Sequence, residues 1–316
     1  MANVYAPAPR QTMYFIGVTT RKSSIMKVFP RWAEHLGLDA VIAGFDFPPH
    51  DAPGHYREAV RFIKNDPLSL GALVTTHKLD LLAAARDLFD GLDPYAVSLH
   101  EVSSISKRDG VLWGHAKDPI TSGLGLEAIV PDGYWRKSGA DMLVLGAGGS
   151  SLALTMYLAE KGRGEGDVPA RVLVTNRSPK RLAEMRAVHA GMTLPFAVSY
   201  HLCPAAADND RVCAGLAPGS LVINATGLGK DAPGSPFTDA VVFPEGGLAW
   251  DFNYRGELAF LDQARAQEKA RGLTIEDGWI YFIHGWTRVI AEVFHLDIPT
   301  FGPDFDILSQ IAQSTR

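Results

Sequence analysis

An apolar segment that runs directly into a glycine-rich turn constrains the fold of this chain more than any other feature. Residues 142–145 read Met-Leu-Val-Leu, and Gly146, Ala147, Gly148 and Gly149 follow them at once, ahead of an apolar helix pattern. A diphosphate needs backbone N–H donors close by, and a side chain at the turn would block its approach, so a buried strand that meets a helix through glycines is typical of dinucleotide binding. Taken alone, the pattern also fits an ordinary strand-to-helix turn in which the glycines serve conformation only.

The segment after the next predicted strand indicates which dinucleotide is bound. A fold that prefers NAD usually ends this strand with an acidic residue for the ribose hydroxyls. Here residues 175–181 contain no acid, and they hold three cations: Arg177, Lys180 and Arg181. A guanidinium binds phosphate through paired donors, so Arg177 and Arg181 favour the 2′-phosphate of NADP. The alternative is a solvated helix start, although cations there oppose the helix dipole.

Composition limits the classes of protein and partner. A length of 316 residues, with 47% hydrophobic and 21% charged residues, suits two domains that each bury a core. The net charge of -5 and the lack of a long basic stretch predict no nucleic-acid partner. No apolar stretch is long enough to span a bilayer, and residues 1–11 do not resemble a secretory signal, so we expect no membrane association. We expect a small-molecule substrate and a monomer or homodimer.

The cysteines and histidines carry no recognisable metal pattern. Cys203 and Cys213 are the two cysteines, and the ten histidines are scattered. A disulfide between the two remains open, but so few thiols in a chain of this length favour reduced cysteines and a cytoplasmic location. We predict no bound metal.

Hydrophobic periodicity predicts an α/β fold in two parts. Predicted strands cover residues 13–18, 40–45, 71–75, 101–106, 110–113, 142–145, 172–175, 221–224 and 248–252. Predicted helices cover residues 25–36, 56–63, 79–88, 120–129, the segment after residue 149, 179–189 and 279–294. Residues 132–139 are predicted as a polar loop. We assign residues 1–120 and 264–316 to a substrate-binding domain, and residues 121–263 to a Rossmann-type, doubly wound domain for NADP, with the C-terminal helices returning to the first domain.

Lys78 and Asp118 are candidates for acid–base chemistry. Lys78 follows a predicted buried strand and begins a helix, and Asp118 lies at the predicted domain junction. Ligands of α/β proteins bind at the carboxyl ends of strands, so both residues are expected to border one cleft. A lysine there passes a proton to or from a substrate hydroxyl as hydride moves, and an aspartate beside it fixes its position. The alternative is an unrelated surface lysine and loop aspartate.

These motifs, in this order, resemble the shikimate/quinate dehydrogenase family over nearly the whole chain. Residues 74–78 resemble its "T-x-P-x-K" motif and residues 114–118 its "G-x-N-T-D" motif, which implies that Lys78 is catalytic and that Asp118 is its partner. The resemblance implies substrate binding by Ser23, Ser103, Tyr254 and Thr75. It implies cofactor binding by Gly146, Ala147, Gly148 and Gly149, by Asn176, Arg177, Ser178 and Arg181, and by Asn224, Thr226, Gly227 and Gly229.

Departures from the family pattern are concentrated in the substrate half. Polar family positions are replaced by Ile25, Ala72, Val74, Ser103, Ala116, Lys117 and Gly285. A site that hydrogen-bonds several substrate hydroxyls is specific to one substrate, because a polar group that is buried without its partner is costly. The cofactor motifs and the Lys78–Asp118 pair are kept. The pattern favours a substrate that differs from shikimate, with Lys117 and Lys22 as candidates for a new contact with a carboxylate.

Three functions are compatible with the sequence. The first is an NADP-dependent dehydrogenase that acts on a small cyclic hydroxy acid, namely shikimate, quinate or a less hydroxylated analogue. The second is a non-catalytic protein that senses NADP(H) or a metabolite on the same scaffold. The third is an enzyme of the methylenetetrahydrofolate dehydrogenase/cyclohydrolase type, which the motifs around Asn176 and Asn224 disfavour.

Overall fold

The computed structural model describes residues 5–230 and 232–316, which divide into two compact units. One unit holds the chain up to Asp118 together with Ile283–Arg316, and the other is Pro119–Phe282. The predicted return to the first domain at residue 264 thus differs from this division, because residues 274–276 add a strand to the sheet of the second unit. Of the N-terminal stretch that we predict not to be a secretory signal, residues 1–4 lie outside the described part.

The first unit is built on a mixed six-stranded sheet in the order β2-β1-β3-β5-β6-β4. Its elements up to Asp118 are β1 (Thr12–Gly17), α1 (Ile25–His35), β2 (Val41–Asp46), α2 (Pro53–Asn65), β3 (Ser69–Val74), α3 (Lys78–Ala85), β4 (Gly91–Leu92), α4 (Pro94–Leu99), β5 (Ser104–Arg108) and β6 (Val111–His115). Strands β1, β2 and β3 are parallel, and β5 runs antiparallel to both β3 and β6. One edge of the sheet therefore collects the carboxyl ends of β1, β2, β3 and β6 and the amino end of β5.

The spacing of apolar residues in α1 explains how this unit is closed. Ile25, Val28, Phe29 and Trp32 recur on one helix face, and each is at most 1% exposed. Burying such side chains contributes roughly 1.5–3 kcal/mol each. The indole Nε1 of Trp32 donates to the carbonyl oxygen of Leu308 at 2.8 Å, in helix α13 (Pro303–Gln313). The C-terminal segment is thereby part of the core of the first unit.

The second unit contains a fully parallel sheet in the order β12-β11-β10-β7-β8-β9. The elements from residue 118 to helix α12 are α5 (Asp118–Ile129), α6 (Tyr134–Ser138), β7 (Met142–Leu145), α7 (Gly149–Arg163), β8 (Arg171–Asn176), α8 (Pro179–Ala190), β9 (Ala197–Leu202), α9 (Ala206–Ala214), β10 (Leu221–Asn224), β11 (Leu248–Asp251), α10 (Ala259–Arg265), α11 (Glu268–Arg271), β12 (Thr274–Glu276) and α12 (Trp279–Phe294). The strand order reverses between β7 and β10, as in the doubly wound dinucleotide-binding fold. The predicted α/β fold class is confirmed.

Several elements differ from the sequence-based prediction. The predicted polar loop at 132–139 is wrong, because it contains helix α6, whose Trp135 is only 5% exposed and packs into the core. The predicted helix at 79–88 begins at Lys78, and its α-helical part ends at Ala85. The periodicity also missed β4, α4, β9, α9, α10, α11, β12 and α13.

Gly285 lies in the interior of α12 and offers a test of what a glycine costs the stability of that helix. A methyl group added there meets no atom within 4 Å. Glycine in a helix interior costs about 0.5–1 kcal/mol relative to alanine, so Gly285→Ala is expected to raise the free energy of unfolding by that amount in urea denaturation. Gly37 is the matched control, because its surroundings are equally open but its φ is +68°. Gly37→Ala is expected to destabilise the protein, and equal effects at both positions would contradict the explanation.

Candidate active site

Lys78 and Asp118 meet at the carboxyl edge of the first sheet. Lys78 is the first residue of α3, which follows β3, and Asp118 is the first residue of α5, which follows β6. Both side chains are mostly buried, with 23% and 16% of their surface exposed, and the Nζ of Lys78 donates a hydrogen bond to Oδ2 of Asp118. Two segments 40 residues apart thus present an amine and a carboxylate at one place, which is the geometry of an oriented proton donor or acceptor.

The charge state of Lys78 follows from its neighbours. Burial lowers the pKa of Lys78, but the carboxylates of Asp118 and Glu101 more than offset this, and the net pKa lies above the ordinary lysine value. Lys78 is therefore an ammonium at neutral pH in the resting protein. In that form it can donate a proton, and it must first lose one to act as a base.

The predicted substrate residues of this unit are placed unequally. Ser23 is half-buried and follows a 3₁₀ turn beyond the end of β1, so it lies at the same edge of the sheet. Thr75 is half-buried just after β3, and its hydroxyl donates to the carbonyl oxygen of Ile16 at 3.2 Å. Ser103 is 3% exposed, and its Oγ accepts the amide of Lys117 at 2.7 Å. Ser103 therefore stabilises the loop before Asp118 and has little left to offer a ligand.

Lys117 does not lie in the position expected for a substrate contact. Its Nζ lies 2.5 Å from Oε2 of Glu292 and 4.0 Å from Oδ2 of Asp93. His115 approaches the same two carboxylates, at 3.5 Å from Glu292 and 3.7 Å from Asp93. The consecutive residues Lys117 and Asp118 thus serve different purposes, because the lysine is bound to two acids within the unit while the aspartate is bound to Lys78.

The glycine-rich turn of the second unit has room for a diphosphate. Gly146 has a φ of +108°, and a Cβ there would lie 2.8 Å from the carbonyl oxygen of Ala225, so this position requires glycine. A Cβ at Gly148 would meet nothing within 4 Å, which leaves open space beside the turn. Gly149 begins α7, whose first N–H groups have no partner within the helix. The residues present thus fit the predicted role in binding NADP.

The cations after β8 are not equivalent. Ser178 caps α8 by accepting the amide of Arg181 at 3.4 Å, and Oδ1 of Asn176 accepts the amide of Ser178 at 3.1 Å, so this turn is fixed by its own side chains. Arg181 is 3.0 Å from Oε2 of Glu184. Arg177 is exposed and forms no ion pair with any residue in the described ranges. Arg177 is therefore the better placed of the two for a 2′-phosphate.

The loop after β10 is held by an amide and hydroxyl network that is anchored on the buried side chain of Asn224. Oδ1 of Asn224 accepts the hydroxyl of Thr226 at 2.7 Å, and the Thr226 hydroxyl accepts the amide of Leu228 at 3.1 Å. Nδ2 of Asn224 donates to Oδ2 of Asp251 at 3.0 Å. The loop between Asn224 and Gly229, which contains the positive-φ Gly227, is thus a preformed structure at the carboxyl edge of the second sheet.

Asp251 anchors this network from the end of β11 and is fully buried. Burial, only partly offset by hydrogen bonds from Asn224 and Asn253, raises the pKa of its carboxyl from 3.8 to about 6. The sequence analysis assigned this residue no role, and the only signal in the sequence is its position three residues before Tyr254.

A stability prediction follows from Asp251. The folded state binds more protons than the unfolded state between pH 4 and 6, so this group lowers the free energy of unfolding as the pH rises through that range. Asp251→Asn removes this effect. The stability difference between variant and wild type is expected to shift in favour of the variant by on the order of 2–3 kcal/mol from pH 4 to pH 7 in urea denaturation. The same change at exposed Asp262 is the control, and parallel pH profiles of the Asp251→Asn variant and wild type would contradict the prediction.

Tyr254 lies in the second unit, beyond β11. Its ring packs against the rings of Trp279 at 5.3 Å and Phe282 at 4.7 Å, at the start of α12. Cys203 and Cys213 are free, and both are buried. No group of three or more His, Cys, Asp or Glu in residues 5–230 and 232–316 is arranged to hold a metal ion. Within the same residues, no helix has the length and apolar character that crossing a bilayer requires.

Comparison with known proteins adds independent information. No protein-family model matches the chain. The shikimate dehydrogenase (NADP(+)) of Thermus thermophilus is 30% identical over 246 residues, which cover 78% of this chain and 78% of that protein.

Solved structures share the fold over almost the whole chain. Shikimate dehydrogenase of Thermus thermophilus, in complex with NADP(H) and shikimate, matches with a TM-score of 0.70 at 22% identity, covering 96% of this chain and 99% of that one. The ligand-free 5-ketofructose reductase of a Gluconobacter strain matches with a TM-score of 0.70 at 18% identity, covering 96% and 98%. The sequence relative shows that the chain belongs to the shikimate dehydrogenase family of NADP-linked oxidoreductases, and the solved structures share its fold.

Proposed function

We propose that the protein transfers hydride between NADP(H) and the carbinol carbon of a small cyclic hydroxy acid: shikimate, quinate or a less hydroxylated analogue. The observation that carries this proposal is the hydrogen bond between Lys78 and Asp118 at the carboxyl edge of the first sheet. It brings together the two side chains that the family motifs assign to proton transfer.

Lys78 is proposed to move the substrate proton. In the direction of reduction, its ammonium donates a proton to the carbonyl oxygen as the carbon receives hydride, and the amine takes the proton back in oxidation. Asp118 orients the amine and stabilises its charge. Because the pKa of Lys78 is raised by its two acidic neighbours, the resting site is prepared for reduction at neutral pH, and oxidation is expected to gain rate as the pH rises.

NADP is proposed to bind the second unit. The helix N-terminus at Gly149 and the open space at Gly148 suit the diphosphate, Arg177 suits the 2′-phosphate, and the loop from Asn224 to Gly229 suits the nicotinamide end. When bound, the cofactor supplies or accepts the hydride.

The substrate is proposed to carry fewer hydrogen-bonding groups than shikimate does. Ala72 and Val74 are buried, at 0% and 1% exposure, and Ala116 is fully buried, so none of them presents a polar group to a ligand. Lys117 forms an ion pair with Glu292, and Gly285 has no side-chain amide to offer a ligand. If shikimate were bound here, each hydroxyl without a hydrogen-bonding partner would reduce the stabilisation of the transition state by about 1–3 kcal/mol.

A substrate screen tests this proposal. Cyclic hydroxy acids with NADP⁺, and the matching ketones with NADPH, would be followed by nicotinamide absorbance, with shikimate and quinate as references. We expect turnover of a less hydroxylated acid to exceed that of shikimate. Efficient shikimate turnover would overturn the proposed difference in substrate, but the proposed dehydrogenase activity would still stand.

A second candidate function is sensing of NADP(H) or a metabolite without catalysis. The internal hydrogen bonds of Ser103 and the ion pair of Lys117 favour it, since they remove polar groups from substrate binding. Any robust change in nicotinamide absorbance during the screen would exclude this function. The cytoplasmic location and the monomeric or homodimeric state remain predictions.

A further inference from the structure

Glu101 lies at the same edge of the sheet as Lys78 and Asp118, although no motif assigns it a role. Helix α4 ends at Leu99, and His100 turns the chain with a φ of 53°. Glu101 follows immediately, ahead of β5, whose amino end lies at the carboxyl edge of the sheet because β5 is antiparallel to β3.

Backbone hydrogen bonds fix this segment against the start of α3. The amide of Val102 donates to the carbonyl oxygen of Lys78 at 3.3 Å, and the amide of Val74 donates to the carbonyl oxygen of Ser103 at 2.8 Å. Glu101 is 8% exposed. Its side chain is therefore buried in the part of the unit that holds the start of α3, and the charges of Lys78 and Asp118 act on it.

The cluster places two acids around one amine. With Glu101 and Asp118 both ionised, the three groups carry a net charge of about -1 in a poorly hydrated place, which is costly unless a proton is retained. Burial raises the pKa of Glu101 to about 7; Lys78 opposes this rise and Asp118 adds to it. Glu101 therefore changes charge within the neutral range, and its charge acts on the amine of Lys78.

We propose that Glu101 is a positioning residue that holds the proton on Lys78 and so sets the pH at which alcohol oxidation begins. This inference rests on the proposed role of Lys78 in proton transfer. An ionised Glu101 is a second anion near the amine and favours the ammonium, which carbonyl reduction uses directly. Oxidation needs the neutral amine, so the charge on Glu101 delays it to higher pH.

Titration of Lys78 without any substrate tests the electrostatic part. Trace acetylation with acetic anhydride between pH 8 and 12, followed by mass spectrometry of the Lys78 peptide, reports the fraction of neutral amine. In Glu101→Gln, we expect the midpoint for Lys78 to fall by about one pH unit, with up to tenfold more labelling below the midpoint. Glu58→Gln, at an exposed position on α2, removes the same charge elsewhere in the unit and should leave the midpoint unchanged.

A second variant separates charge from packing. Glu101→Asp keeps the carboxylate, so its Lys78 midpoint should stay much closer to that of wild type than to that of Glu101→Gln. Equal midpoints in wild type and Glu101→Gln, or an equal fall in both Glu101 variants, would overturn the proposal.

The pH profile of turnover completes the test. For a substrate that the screen identifies, the rise of kcat/KM for oxidation should move to lower pH in Glu101→Gln by the shift seen in labelling, while kcat for reduction near pH 7 stays within about twofold. A labelling shift with an unmoved oxidation profile would overturn the role of Glu101 in setting that pH. If no substrate turns over, the proposed function fails, and the labelling result still decides whether Glu101 controls the charge of Lys78.

Discussion

Replacing Lys78 with alanine is expected to reduce turnover by roughly 10²–10⁴-fold, which is the range that a positioned acid–base group contributes. The substitution removes the amine that donates to Asp118 and leaves the sheet edge intact. Binding of NADPH, measured by fluorescence titration, should be unchanged, because the glycine-rich turn and the loop after β10 lie in the other unit. Turnover is measured as nicotinamide absorbance with the best substrate of the screen.

The matched control is Lys27→Ala, at an exposed position of α1 in the same unit, which should retain wild-type kinetics. If Lys78→Ala kept more than a tenth of the wild-type rate, Lys78 would not be the proton-transfer group. A loss of NADPH binding with turnover would instead point to unfolding, which circular dichroism would reveal.

Replacing Arg177 with alanine is expected to weaken binding of NADP by roughly 10–100-fold and to leave binding of NAD nearly unchanged. A guanidinium forms charge-assisted hydrogen bonds with a phosphate, and each contributes about 1.5–3 kcal/mol. NAD has no 2′-phosphate and forms none of these bonds, so its binding does not depend on them. The dissociation constants of both cofactors, measured by calorimetry or fluorescence, give the comparison directly.

Arg181→Ala is the informative neighbour, because Arg181 already pairs with Glu184 and should cost less affinity than Arg177. Arg136→Ala, at an exposed position of the same unit, controls for the loss of positive charge alone. If Arg177→Ala weakened NAD as much as NADP, the side chain would serve the adenosine or the turn itself rather than the phosphate.

Structural features that depend on a contiguous sequence pattern could be predicted from the sequence. The turn at Gly146 could be identified because its strand, its glycines and its helix are contiguous, and the parallel order of the second sheet follows from strands that alternate with helices. The meeting of Lys78 and Asp118 could be anticipated because each follows a strand and the family motifs name the pair.

Other features depend on tertiary contacts and left no local pattern. Helix α6 is short and polar in sequence, and only the packing of Trp135 reveals it. The place of Lys117 depends on Glu292, which lies 175 residues further along the chain. Glu101 gains its significance from the antiparallel direction of β5, which returns its amino end to the site, and hydrophobic periodicity carries no information about strand direction.

The division of the chain also constrains the order in which a ribosome can deliver a working protein. Residues 119–282 are contiguous and have their own core, so this unit can fold as soon as it has emerged, in keeping with the tendency of domains to fold as units during synthesis. The unit that carries Lys78 cannot finish folding until the C-terminal segment has been synthesised. Trp32 needs Leu308 as its hydrogen-bond acceptor, and Lys117 needs Glu292 as its ion-pair partner. Until the last helices appear, the nascent chain exposes an unfinished apolar surface around Trp32, and this interval is when it most needs protection from aggregation.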